Sequence, residues 1–179
     1  MWQTVSLPNS EIPVRLGLAT DIDSLIELYG LVTNQLQLMG LRQWHKDYPG
    51  QEIILADLHS GNLFLVEQEK RAIGVVVLDD NQHPQYADID WKFKSGRVLV
   101  IHRLAVHPDF SGKGIAQALC RFCESVAKQE GYEHIRLDAY RGNIRSNIFY
   151  QKMGYLKTNR SCQFSYQDLP CDCYEKLIQ

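Results

Sequence analysis

Residues 98–131, VLVIHRLAVHPDFSGKGIAQALCRFCESVAKQEG, constrain the fold more than any other stretch of this 179-residue chain. Val98 to Val106 is dense in Val, Leu and Ile, which reads as a buried strand. The strand breaks at His107-Pro108-Asp109, because proline lacks an N–H and pushes the residue before it away from the helical region. A helix opens at Ser111-Gly112-Lys113-Gly114-Ile115-Ala116. Within it Ile115, Leu119, Phe122 and Val126 recur at spacings of four, three and four, so one face is apolar. Gly131 supplies a natural stop in the left-handed conformation. A glycine-rich turn between a strand and a helix can present several backbone N–H groups at the helix N-terminus, where the dipole also favours negative charge. That is a site for a phosphate-sized anion. A tight turn that merely starts a helix is the plainer alternative.

The spelling of the turn separates the families that use such a site. A P-loop needs Gly-Lys followed by Ser or Thr, but Lys113 is followed by Gly114 and position 107 is His. The dinucleotide fingerprint needs Gly-x-Gly-x-x-Gly, and Gln117 stands where the third Gly belongs. The run from Leu104 to Ala116 instead resembles the acetyl-CoA-binding segment of the GNAT N-acetyltransferase superfamily. That family's signature is Gln or Arg, two residues, Gly, one residue, Gly or Ala; Gly114 and Ala116 match the last two anchors, and Ser111 stands where Gln or Arg is usual. The resemblance implies that the backbone of Ser111, Gly112, Lys113, Gly114, Ile115 and Ala116 holds the pyrophosphate of acetyl-CoA. It also implies that the edge of Leu104, Ala105 and Val106 pairs with the pantetheine amides, as an added strand would.

Residues 143–155, NIRSNIFYQKMGY, give independent support. They resemble the closing helix of the same family, an Asn followed by a Phe-Tyr-x-Lys-x-Gly-aromatic ending, and the two motifs stand in the family's order. The resemblance implies that Tyr150 is the general acid and that Asn143 contacts the cofactor arm. A core aromatic whose hydroxyl has found a partner is the alternative for Tyr150.

The rest of the chain reads as one mixed α/β domain over residues 1–179. Ile12 to Leu18 is a strand. A helix follows, with Thr20 and Asp21 as cap candidates and Ile22, Leu25, Ile26 and Leu28 on its apolar face. Thr33 to Pro49 is less regular, and Gln51 to His59 is helical. Asn62 to Glu67 and Ala72 to Leu78 form an antiparallel hairpin. Asn81 to Gly96 is a polar excursion with room for short strand pieces. After the glycine turn and its helix come a strand, Glu133 to Tyr140, and a helix, Asn143 to Met153. Tyr155 to Lys157, Cys162 to Tyr166 and Cys173 to Ile178 complete the sheet. The unit from Val98 to Tyr140 is right-handed and parallel by rule. The resemblance implies the acyl-CoA N-acyltransferase fold: a largely antiparallel sheet with flanking helices, whose two parallel strands splay apart to admit acetyl-CoA.

The chemistry then needs a base and an acceptor site. An alkylamine has a pKa of about 10, so it arrives as ammonium and must lose a proton before attack. The strand from Val98 to Val106 offers only His102 and Arg103 as polar residues, on opposite faces by alternation. Histidine titrates in the range a base needs; a hydrogen-bonded strand histidine, with water taking the proton, is the alternative. Asp138 interrupts an apolar strand, and either pairs with an arginine such as Arg136 or Arg141 or orients the substrate. Trp44, Tyr48, Tyr86 and Trp91 are candidates for the acceptor wall, with Asp88 and Asp90 able to hold an ammonium. A small-molecule or peptide amine is the expected acceptor. No covalent enzyme intermediate and no metal is required. An acyl-CoA-binding sensor without catalysis is the competing class.

Composition narrows the partners. A net charge of −2 with no basic block argues against binding driven by nucleic-acid phosphates. No apolar run approaches membrane-spanning length, and the first residues lack the pattern of a signal peptide. The five cysteines, an odd number, point to a reducing cytoplasm. Cys120-x-x-Cys123 reads as buried thiols inside the helix rather than a zinc half-site with Cys171 and Cys173. A homodimer remains open.

Overall fold

The computed structural model describes residues 12–178. The strands are β1 Arg15–Leu16, β2 Leu63–Gln68, β3 Arg71–Asp79, β4 Val98–Val106, β5 His134–Tyr140, β6 Leu156–Cys162 and β7 Cys171–Leu177. The helices are α1 Ile22–Leu38, α2 Gln51–His59, α3 Ile115–Gln129 and α4 Ile144–Lys152. One sheet runs in the order β1-β2-β3-β4-β5-β7-β6. Every neighbouring pair is antiparallel except β4 with β5.

That parallel pair makes the site. β4 and β5 pair only through Val98↔His134, Leu99↔Ile135 and Val100↔Arg136, although both strands run on to Val106 and Tyr140. Beyond Val100 the facing edges separate. On its other edge β4 follows β3, but Val77 opposes His102 while Val75 opposes Ala105. One extra residue is therefore held on β4, and Arg103 takes a left-handed φ of 48° there. A bulge of this kind bends and twists its strand, which fits the departure of β4 from β5.

Two layers of helix cover the sheet. Strand alternation sends Phe64, Val76, Leu78, Leu99 and Ile101 to one face, against Ile115, Leu119, Phe122 and Val126 of α3. Leu63, Leu65, Val75 and Val77 face the other way, against Leu25, Leu28, Tyr29 and Leu36 of α1 and Ile54 and Leu58 of α2. Each large apolar side chain so buried contributes roughly 1.5–3 kcal/mol. Gly74 on β3 matters for the site, because a Cβ there would come within 2.5 Å of Ile115 Cγ2. The bare backbone lets the first turn of α3 press onto the sheet, at the end of β4. Among the described residues no helix is long and apolar enough to cross a membrane.

Several sequence expectations shift. The first strand shrinks to two residues, Arg15–Leu16. α1 continues through Thr33 to Leu38, because Thr33 and Leu36 fall on its buried face; Ile26 is instead 36% exposed. The hairpin turn is only Glu69-Lys70, both with left-handed φ, and Gln68 pairs with Arg71. The excursion after β3 carries a short 3₁₀ turn, Pro84–Asp88, and no strand. Near the C-terminus, the pieces expected at Tyr155 to Lys157 and Cys162 to Tyr166 become the single strand β6, followed by a loop. The polar stretch between those two pieces bulges along the sheet's edge, with the register shift falling between Lys157 and Ser161. Cys120 and Cys123 lie on the buried face of α3, whereas Cys162, Cys171 and Cys173 belong to a separate cluster on the other face of the sheet. The sheet thus keeps the two sets apart. No group of three or more His, Cys, Asp or Glu among the described residues is arranged to hold a metal.

Candidate active site

A cavity of about 1120 Å³ opens where β4 and β5 part. One end is made of backbone. His107 Nδ1 accepts from Asp109 N–H at 3.2 Å, and Ser111 N–H donates to Pro108 O at 3.0 Å, so the chain turns tightly after β4. Gly112 and Gly114 follow with φ of 80° and 84°. Only glycine adopts such angles cheaply. A Cβ on Gly112 would meet nothing within 4 Å, and one on Gly114 only Gln117 Oε1 at 3.8 Å. The space is open on the cavity side. Gly114 caps α3 without a side chain, and the N–H groups of Gly112, Gly114, Ile115 and Ala116 find no acceptor among the described residues. Lys113 folds back over the Phe110 ring, 4.6 Å from its centroid. Ser111, Ile115 and Ala116 line the same end. Leu104, Ala105 and Val106 line the adjoining wall, on the edge that β5 leaves bare.

α4 supplies the floor. Asn143 caps it, its Oδ1 accepting from Ser146 N–H at 3.1 Å, while Nδ2 donates to Gln43 Oε1 at 2.8 Å. Asn147 locks the helix to the sheet: Nδ2 donates to Tyr140 O at 2.9 Å and Oδ1 accepts from Tyr174 OH at 2.7 Å. Tyr150 projects from this helix into the cavity wall and is only 8% exposed. Its ring packs against Phe149, Tyr155 and Tyr174 at centroid distances of 5.3, 5.9 and 6.0 Å. Burial pushes its pKa well above the ordinary tyrosine value, with Cys120, Cys123 and Asp138 adding to the effect. The phenol is therefore protonated at neutral pH.

The far end is built of side chains. His102 and Asp138 each lie two residues beyond the last parallel pair, Val100↔Arg136, one on each diverging strand. His102 Nε2 is 2.9 Å from Asp79 Oδ1. Burial pulls the Asp79 carboxyl up, but the hydrogen bond and charge of His102, together with the Asn81 N–H, outweigh it and hold the pKa below the usual value. The bulge cancels the expected alternation. Arg103 gives Nε and Nη2 to the two oxygens of Asp57, at 2.9 and 2.7 Å, and Asp57 also feels the charge of His102. Tyr29 OH donates to Arg103 O at 3.0 Å and helps pin the bulge.

Asp138 bonds neither arginine. Its Oδ2 accepts from Tyr86 OH at 2.8 Å. Arg136 donates to Gln82 Oε1 and Phe93 O, and Arg141 to Asp172. Trp44 lines the cavity with one edge while packing on Tyr29 at 5.5 Å, and Tyr48 lines it as well. Trp91 does not line it. It lies behind Tyr86, with Nε1 donating to Tyr86 O at 2.8 Å and Arg136 stacked 4.2 Å from its ring. Asp88 and Asp90 also lie off the cavity lining. Sequence reasoning missed Asp79, Asp57, Asn147, Phe164 and Tyr166. No local motif marks them; partner and strand register alone bring them in.

A sheet that opens between two parallel strands, with an anion cradle at the end of one and a buried tyrosine on the helix after the other, defines an acyltransferase architecture. The description that matches residues 27–155 is the Acetyltransferase (GNAT) family. The chain belongs to that family and is an acetyltransferase of the GNAT type. It is 25% identical over 137 residues to YesJ, an uncharacterized N-acetyltransferase of Bacillus subtilis strain 168, covering 75% of this chain and 76% of that one. Among solved structures, a GNAT-family acetyltransferase of Streptococcus agalactiae 2603 superposes with a TM-score of 0.76 at 22% identity, covering 93% of this chain and 95% of that one. The PaiA N-acetyltransferase of Thermoplasma acidophilum, solved in complex with coenzyme A, gives 0.69 at 18% identity, covering 94% and 99%. At such identities these structures share the fold.

Proposed function

We propose that the protein moves an acetyl group directly from the thioester of acetyl-CoA to a primary amine, on a small molecule or an exposed protein amine. One observation carries this reading: the cradle, the bare β4 edge and Tyr150 converge on a single cavity. The unpaired N–H groups of Gly112, Gly114, Ile115 and Ala116 suit a pyrophosphate, and the edge from Leu104 to Val106 suits the amides of the pantetheine arm. Acetyl-CoA supplies an activated acyl group.

The chain's own residues supply the rest. Asp138 holds the incoming ammonium. His102 takes its proton through Nδ1, because Nε2 is committed to Asp79. The amine nitrogen then bonds to the thioester carbon, and a β4 backbone N–H answers the charge that develops on the oxygen. As the carbon–sulfur bond breaks, the electron pair goes to sulfur and takes the Tyr150 proton; the newly bonded nitrogen sheds its second proton, which returns to the phenol through the cavity water. Burial raises the cost of a tyrosinate, but it raises the cost of a thiolate in the same cleft too, so the transfer stays matched.

The reading is tested by thiol release with acetyl-CoA and a panel of amines. Release should be stoichiometric with N-acetylated product, and kcat/KM should fall on the acid side. In His102→Gln that acid limb should disappear. Binding of acetyl-CoA with no release from any amine would favour a sensor.

A further inference from the structure

We infer that the acceptor is an amine of single positive charge carrying an aromatic or similarly flat body, selected by Asp138 together with the ring strip Tyr48, Tyr166 and Phe164. The inference rests on the transfer reading above. It starts from how the far end of the cavity is walled. Tyr48 and Tyr166 stand 5.1 Å apart between ring centroids, and Tyr166 stacks on Phe164 at 5.7 Å with 18° between planes. His83 closes the strip edge-on to Phe164 at 4.8 Å. These rings come from three separate segments, and all of them line the cavity. Tyr166 is 42% exposed, an unusual position for a tyrosine that serves only the core.

Charge narrows the class further. Among the described residues the carboxylates on the cavity wall are Asp109 and Asp138, and Asp109 belongs to the turn at the cradle end. The far end thus offers one carboxylate for one ammonium. Tyr86 OH occupies only part of Asp138, and a carboxylate accepts about four hydrogen bonds. A second ammonium, as in a diamine or polyamine, would find no second carboxylate there, only the weaker cation–π attraction of the ring faces. A carboxylate, as in a free amino acid, would fare no better. Of the two guanidiniums on the wall, Arg103 is held by both oxygens of Asp57, and Arg145 projects from the exposed first turn of α4 beside Asn143. A flat ring stacked on the strip gains the attraction of an aromatic pair in addition to its buried area.

The experiment compares kcat/KM for phenethylamine, n-propylamine, spermidine and phenylalanine, in the wild type and in Tyr166→Ala and Tyr166→Phe. Phenethylamine should exceed each of the other three by about tenfold or more, the equivalent of about 1.4 kcal/mol. Tyr166→Ala should cut the phenethylamine to propylamine ratio by about tenfold and Tyr166→Phe should keep it, since stacking needs the ring and not the hydroxyl. Spermidine or phenylalanine as the better substrate would overturn the inference while leaving amine transfer intact. A ring preference that survives Tyr166→Ala would overturn the role of the strip. Absence of thiol release with every amine would overturn the transfer reading, and this inference with it.

Discussion

The two ends of the cavity are built in opposite ways. At the cradle, Gly112, Gly114, Ile115 and Ala116 leave their backbone N–H groups without an acceptor among the described residues, at the cavity's end, and no side chain needs to be placed. At the far end, His102, Asp138, Phe164 and Tyr166 come from β4, β5 and the loop before β7, with Asp79 of β3 bonded to His102, and the backbone serves only to hold them. A backbone site tolerates change in side chains and fails when φ is changed. A side-chain site does the reverse. The difference also suits the proposed transfer, in which acetyl-CoA is constant and would be served by a rigid backbone cradle, while an acceptor would be recognised by groups that can vary.

Tyr150 sits between the two ends, and its loss should be the largest effect. Tyr150→Phe removes one oxygen and keeps the ring packed on Phe149, Tyr155 and Tyr174. Losing one general acid costs about a hundred- to ten-thousandfold in rate. Steady-state kinetics should show that fall in kcat, and calorimetry should show an almost unchanged affinity for acetyl-CoA. A near-normal kcat, with chemistry rate-limiting, would reduce Tyr150 to packing. The loss should be smaller for an acyl donor whose thiol has a lower pKa, since that thiolate leaves without help.

Gly114→Val should separate the ends next. The new side chain meets little protein, only Gln117 Oε1 at 3.8 Å from its Cβ. It should therefore fold, at a cost of roughly 1–2 kcal/mol for a left-handed φ. In the wild type, acetyl-CoA at a hundred times its Kd should add about 2.7 kcal/mol of stability, read as a rise in Tm. The variant should lose that rise while an acceptor amine still binds. An unchanged acetyl-CoA affinity in folded Gly114→Val would remove the cradle from the site.

Asp79→Asn should give the smallest effect, and one that depends on pH. The Asp79 carboxyl has a folded pKa below its unfolded value. Its stabilisation is therefore present above the unfolded pKa, about 4, and is lost as pH falls through the folded pKa. The variant should melt a few degrees lower at pH 7, at roughly 2–4 °C per kcal/mol. The gap should close as the pH falls through the folded pKa, below the ordinary carboxylate range. A gap that persists unchanged in acid would mean that packing, not the charge on Asp79, is what the substitution removes.

Much of the fold was legible because its signals are local. Apolar runs marked β2, β3, β4 and β5, the four-three-four spacing marked α3, and glycines marked the turns. β6 was misread because an edge strand bulging past its partner need not alternate. Trp91 was misjudged as a wall residue for a related reason. An aromatic in a polar loop looks the same in sequence whether it faces a ligand or, as here, seals the loop against Tyr86 and Arg136.

By itself the sequence determined the cradle, the capped helix that carries Tyr150 and the succession of strands and helices, since each depends on the φ preferences and periodicity of neighbouring residues. The tertiary structure alone decided where β4 leaves β5, that His102 meets Asp79, that Arg103 meets Asp57, and that Asp138 lines one cavity with rings from distant loops. Those depend on strand register and on one extra residue in β4. A shift of a single residue in register turns every side chain to the other face of a sheet, and no local stretch of sequence records which residue across the sheet will be its neighbour.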